Sequence, residues 1–260
     1  MSITHRSGRA VPLLSVAILL CVPALQHADE LFHTEIEFCG WECMKFALLW
    51  PGSFCVGLNE SLGCSIPQYI QSWTIHGLWP MHTTKCCQCW PIFPSDLEEL
   101  EPEISHLWPT LLKTKSNFTF WKDEWRKHGS CAACVEGMNS PTRYFHVSLK
   151  LRGRFNIDRA LMDAGIKPSC NQTYQLEELQ SALAPMMGGG SEIQCMKDSE
   201  GREVLIQVKI AMSKNFTLGC RKDGQGEPAN AQTPPGHPCP RHIPVFYFPI
   251  SYERPHQPCD

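Results

Sequence analysis

The spacing of hydrophobic and polar positions changes along the chain, and each change marks an element. Residues 44–50 and 72–79 are short apolar and aromatic runs bounded by Pro, Gly and Ser, which predicts two strands. The middle of the chain takes a helical period. Ser95 with Glu98 three residues on predicts a capping box ahead of Leu97, Leu100 and Ile104, with Pro102 and Pro109 keeping those helices short. A stronger helix is expected over 118–128, stopped by Gly129, and others from Ser140-Pro141 to Arg152, from Asn156 to Gly165 and over 176–183. Strand character returns at 193–196 and 204–212, joined by a polar turn at Asp198 and Gly201, as an antiparallel hairpin. Residues 221–244 hold six prolines and three glycines, a surface loop anchored by Cys239, before a last apolar strand at 243–250. Strands at both ends and helices between them, without βαβ alternation, predict a single α+β domain in which helices pack an antiparallel sheet.

The first 28 residues stand apart from that pattern. Arg6 and Arg9 precede an apolar run over 11–25 that contains Pro12 and Pro23, and small residues follow at Ala24 and Ala28. Fifteen residues fall short of the ~20 a membrane helix needs. A secretory signal cleaved after Ala24 or Ala28 is expected, leaving a domain over 29–260. Its removal takes away two basic residues and no acidic one, leaving 21 Lys+Arg against 26 Asp+Glu, a net charge of −5 with His neutral. Such a mildly acidic chain lacks the broad basic face of a duplex-binding protein, so any polyanion must be held locally. No later apolar run is long enough for a membrane anchor, and the product is expected in the secretory pathway, extracellular or in an organelle lumen.

Fourteen cysteines remain after Cys21 leaves with the signal, an even number suited to cystines in an oxidising compartment. The rival reading is zinc, because Cys86, Cys87 and Cys89 cluster and Cys131 and Cys134 form a CxxC pair; no matching CxxC partner completes the set, and disulfides are the expectation. Asn59, Asn117, Asn171 and Asn215 each begin an N-glycan acceptor triplet, in keeping with export.

On the 118–128 helix, at about 100° per residue, Phe118, Trp121 and Trp125 form one apolar stripe. Glu124 and His128 lie together at its edge, with Asp123 and Lys127 in the next row outward. A carboxylate and an imidazole one turn apart and half shielded by tryptophans tune each other's pKa, as acid–base chemistry near neutrality requires. Taken alone, the same helix reads as an ordinary solvated face. His76, at the end of the 72–79 strand before Gly77 and Trp79, adds a second imidazole from a different element. Two histidines, a Glu and a Lys suit metal-free phosphoryl transfer from a ribose, with no cofactor.

The segments Ile75-His76-Gly77-Leu78-Trp79-Pro80 and Phe120-Trp121-Lys122-Asp123-Glu124-Trp125-Arg126-Lys127-His128-Gly129-Ser130-Cys131 resemble the two active-site segments of the ribonuclease T2 family, with weaker similarity reaching Pro244-Val245-Phe246-Tyr247. The resemblance implies a secreted or lysosomal endoribonuclease of α+β fold, a monomer acting on single-stranded RNA. By that likeness His128 removes the ribose 2′-OH proton, His76 protonates the 5′-oxygen, and Lys127 and Glu124 attend the phosphate; a 2′,3′-cyclic phosphate forms and is then hydrolysed. Trp79 reads either as a stacking surface for a base or as core packing. Likeness to the family also implies Cys55–Cys64, Cys86–Cys131 and Cys195–Cys239, and leaves Cys220 without its usual partner because Ala211 stands there. The pairing of Cys39, Cys43, Cys87, Cys89, Cys134, Cys170, Cys220 and Cys259 stays open.

Two further departures bear on activity. Asp123 stands where many members carry a histidine that helps hold phosphate, and an anion there is expected to weaken binding. Met81 stands where many carry an aspartate that helps select a base, so base preference is open. They motivate a second reading, an extracellular binding or signalling protein with weakened turnover; a zinc-stabilised module is a third.

Overall fold

The computed structural model of the chain describes residues 39–83, 86–87, 89–220 and 236–259. The chain divides into Met1–Gly40 and Trp41–Asp260, and the sheet, the helices and the cleft between them all belong to the second unit. The expected signal and its cleavage points lie outside the described residues, as does most of the proline-rich loop. Among the described residues no helix is long and apolar enough to cross a membrane.

A mostly antiparallel sheet runs in the order β2 (Thr74–Pro80), β1 (Cys43–Leu49), β5 (Glu203–Ser213), β4 (Glu192–Lys197), β6 (His237–Pro238). The C-terminal run at 243–250 is a strand only at β7 (Val245–Phe246), which pairs parallel with β5 and antiparallel with β3 (Thr173–Tyr174). Pro244 and Pro249 bracket it and cannot donate to a ladder, which accounts for its shortness.

The predicted helices appear as α3 (Asn117–Glu124), α4 (Pro141–Arg154), α5 (Ile157–Asp163) and α6 (Leu176–Leu183), after α1 (Pro51–Gly57) and α2 (Glu103–Leu107). Caps explain most of the starts. The side chains of Ser116, Ser140 and Asn156 accept from the backbone N–H groups of Thr119, Arg143 and Arg159. The capping box expected at Ser95 and Glu98 is shifted: Phe93 N–H donates to Asp96 Oδ2 at 2.7 Å, and only 3₁₀ turns follow before α2. Pro94 at the first turn favours the earlier start. Gly129 does not stop the chain after α3, because a π-helical turn (Trp125–Gly129) leads into a further turn at Ser130–Ala132.

Alternate residues of the central strands serve different faces. Met44, Phe46 and Leu48 of β1 and Val208, Ile210 and Met212 of β5 join the larger core with Trp108, Trp125, Tyr144 and Phe145. Leu49, and Ile206 where a bulge in β5 breaks the alternation, join a smaller core with Phe54 and Leu58 of α1.

Cystines tie the periphery down. The structure pairs Cys55 with Cys64, Cys86 with Cys131 and Cys195 with Cys239, and also Cys43 with Cys220, Cys87 with Cys89 and Cys170 with Cys259. Cys39 and Cys134 are oxidised as well. Cys220 therefore has a partner. Ala211 stands opposite Lys45 on β1, and Cys43, two residues along that neighbouring strand, supplies the sulfur that position 211 does not. The cysteines a zinc reading requires are all committed to cystines.

Candidate active site

His76 is aimed by an irregularity in β2. Ala47 of β1 pairs with Gly77 and Leu48 with Ile75, so the register skips His76 and leaves it as the extra residue of a bulge. Bulges re-aim side chains next to active sites. The freed His76 carbonyl accepts from Trp108 Nε1 at 3.0 Å, and the ring Nδ1 meets Gln207 Oε1 of β5.

The opposite wall is the helical segment from α3 through the π turn. π turns are rare and concentrate at functional sites. Phe120, Asp123, Glu124, Lys127 and His128, which share one helical face, all line a single cleft of about 460 Å³ with His76, Trp79 and Met81. Cys86–Cys131 links the loop after β2 to the end of this wall.

Trp79 joins the two walls. Its ring lies 5.1 Å from His76 and 5.4 Å from His128, and its Nε1 donates to Glu124 Oε2 at 2.8 Å. Lys209 Nζ lies 5.4 Å from the same ring, as a cation over a π face. With these neighbours the indole is only 9% exposed, which leaves little of a face for a stacked base. A Cβ on Gly77 would collide with both Trp79 Nε1 and Glu124 Oε2, so only glycine lets that hydrogen bond pass across the strand.

Burial sets the charge states. It raises Glu124 to about 7, against the lowering effects of the Trp79 hydrogen bond and Lys127. Desolvation lowers His76 to about 4, opposed by the Gln207 hydrogen bond and reinforced by Lys209 and Lys127. His128 falls to about 3 through desolvation, Lys127 and His76. Burial pushes Asp123 up, but hydrogen bonding and charge from Lys115 outweigh it, and its carboxyl lies below the usual range. Lys115 Nζ is 2.8 Å and an Arg126 nitrogen 3.3 Å from Asp123, so this anion faces the cleft already paired with two cations.

Sequence reasoning missed Lys115, Gln207 and Lys209. Gln207 and Lys209 had a signal: two polar residues two apart inside an otherwise apolar run, and so on one face of a strand. Lys115 had none, because its role depends on how the chain before α3 folds back.

The model of the ribonuclease T2 family matches residues 41–221, a span holding every catalytic candidate. The chain belongs to the ribonuclease T2 family. Ribonuclease Oy of Magallana gigas is 34% identical over 220 residues, covering 81% of this chain and 97% of that protein. Human ribonuclease T2 is 36% identical over 199 residues, 75% of this chain and 73% of that protein. The crystal structure of human RNase T2 superposes with a TM-score of 0.65 at 32% identity, covering 80% of this chain and 99% of that one. RNase NT, solved with 5′-AMP, has a TM-score of 0.65 at 25% identity, covering 81% and 99%. The α+β fold and the T2-type endoribonuclease activity follow from this membership.

Proposed function

We propose that the protein cleaves single-stranded RNA by metal-independent transphosphorylation, with His128 as base and His76 as acid. The observation that carries this reading is a pair of imidazoles, from a strand bulge and from a π turn, packed on one indole and lining one cleft with Lys127. His128, the more depressed of the two, offers a lone pair to the 2′-OH. The 2′-oxygen attacks phosphorus, the 5′-oxygen departs with a proton from His76, and the 2′,3′-cyclic ester is then opened by water with the two roles exchanged. Lys127 supplies positive charge beside the phosphate oxygens. In the free protein between about pH 4 and 7 the proton resides on Glu124 rather than on either ring. A phosphodiester anion favours imidazolium, so binding draws a proton toward His76.

The weakened-turnover reading loses its main motive, because Lys115 and Arg126 offset the charge of Asp123. Trp79 acts in our reading by holding Glu124 and both rings rather than by stacking a base. Secretion or delivery to a lysosomal lumen is in keeping with the density of cystines. Asn59, Asn171 and Asn215 are exposed and open to glycosylation, whereas Asn117 is half-buried and a poorer site. The test is single-turnover cleavage of a short RNA, with detection of a 2′,3′-cyclic end. Loss of that end in His76→Ala and His128→Ala is expected, and its persistence in both overturns the scheme.

A further inference from the structure

The strand wall of the cleft carries buried polar side chains that the reaction scheme leaves unused. Lys45, Gln194 and Gln207 are 3%, 6% and 1% exposed. Leaving a buried polar group unsatisfied costs about 1–3 kcal/mol, so such groups occur where their hydrogen bonds are made. Here they form one continuous row. Lys45 Nζ donates to Glu192 Oε1, and Gln194 Nε2 donates to Glu192 Oε2 at 3.1 Å. Gln207 Nε2 donates to Gln194 Oε1 at 3.0 Å, and Gln207 Oε1 meets Nδ1 of His76. Strand pairing sets Gln194 directly opposite Gln207.

The direction of this row is fixed from one end. A side-chain amide can face either way and a neutral imidazole can carry its proton on either nitrogen, but an ammonium only donates and an ionised carboxylate only accepts. Glu192 therefore requires the NH₂ of Gln194, which leaves the Gln194 oxygen for Gln207. Gln207 must then give its NH₂ to Gln194 and its oxygen to His76, and Nδ1 must hold the hydrogen.

We infer that Lys45, Glu192, Gln194 and Gln207 form a tautomer lock on His76. The lock keeps a proton on Nδ1 and makes Nε2 the ring atom that gives and takes the working proton. It deepens the mechanism proposed above and rests on it for its use. In the cleavage step the Gln207 carbonyl steadies the imidazolium against Lys209 of β5 and Lys127 of the helical wall, which both disfavour it. Glu124 and His128 face the same ring from across Trp79. In the hydrolytic step Nδ1–H keeps the Nε2 lone pair available for a water proton. Gln207, Gln194 and Glu192 are positioning residues.

Glu192→Gln tests the lock from outside the cleft. It keeps the shape, but Lys45 then takes the oxygen of the new amide and leaves its NH₂ facing Gln194, so the row reverses. Nitrogen NMR of ¹⁵N-histidine-labelled protein near pH 7 should find His76 protonated on Nδ1 in the wild type and on Nε2 in Glu192→Gln. An Nε2–H tautomer in the wild type, or an unchanged tautomer in the variant, overturns the inference. Gln207→Leu should lower kcat about ten- to hundredfold with KM within about twofold. Gln207→Glu, which restores an acceptor, should recover most of kcat and move the basic limb of the kcat profile to higher pH; a Gln207→Leu protein with wild-type kcat also overturns it. The NMR readout uses no RNA. A wild-type protein that makes no cyclic phosphate sinks the nuclease mechanism alone, and an active one with an unlocked His76 sinks the lock alone.

Discussion

The two histidines are held in opposite ways. His76 sits on a bulged strand, its carbonyl bound by Trp108 and its Nδ1 by Gln207, whereas His128 rides a π turn and, among the described residues, makes no side-chain hydrogen bond. One ring is oriented by polar partners and the other by packing against Trp79. The buried polar groups of the strand wall therefore gather on the side of His76.

The largest effects separate the two roles. Replacing either histidine by alanine should lower kcat on RNA by about 10²–10⁴. On a nucleoside 3′-phosphodiester with a nitrophenolate leaving group, which needs no protonation, His76→Ala should regain most of its rate and His128→Ala should not. Equal behaviour of the two variants breaks the contrast.

The pH profiles sharpen it. In the free enzyme the base is lost as pH falls through about 3 and the acid is lost as pH rises through about 4, so kcat/KM should peak in acid. Bound phosphodiester raises both imidazoles, and the kcat limbs should lie about 1–3 pH units higher than those of kcat/KM. Coincident profiles would mean that the substrate anion does not sit between the rings.

Trp79→Phe keeps an aromatic ring but removes the donor to Glu124, whose pKa should rise further, with kcat falling about tenfold and KM little changed. The smallest effect is expected from Asp123→Asn. It frees Lys115, which lines the cleft, for the phosphate and should lower KM for RNA by no more than a few fold, because partly exposed ion pairs are weak. A large rise in KM would instead give Asp123 a direct part in binding.

Elements whose ends are set by local chemistry are legible from sequence. Ser140-Pro141 and Asn156 carry their caps beside them, and Gly165 has the positive φ that ends α5 (φ 77°). The β4–β5 hairpin is legible from two apolar runs and the Asp198–Gly201 turn between them. Features created by pairing are not. The bulge at His76 exists only against β1, β3 and β6 are two residues each, and the π turn interrupts a run that reads as an uninterrupted helix. The chemical residues of the site can be named from sequence. Their supports cannot, because Gln194, Gln207 and Lys115 act through partners that only folding brings beside them.

Gly77 carries a consequence for judging other chains of this shape. A single added methyl group there would push apart the indole and the carboxylate that bridge the two walls, with every reacting atom still in place. A homologue that kept both imidazoles but gained a side chain at this spot would be a fossil of the enzyme, so the smallest residue in the motif tells most about whether the rest still works.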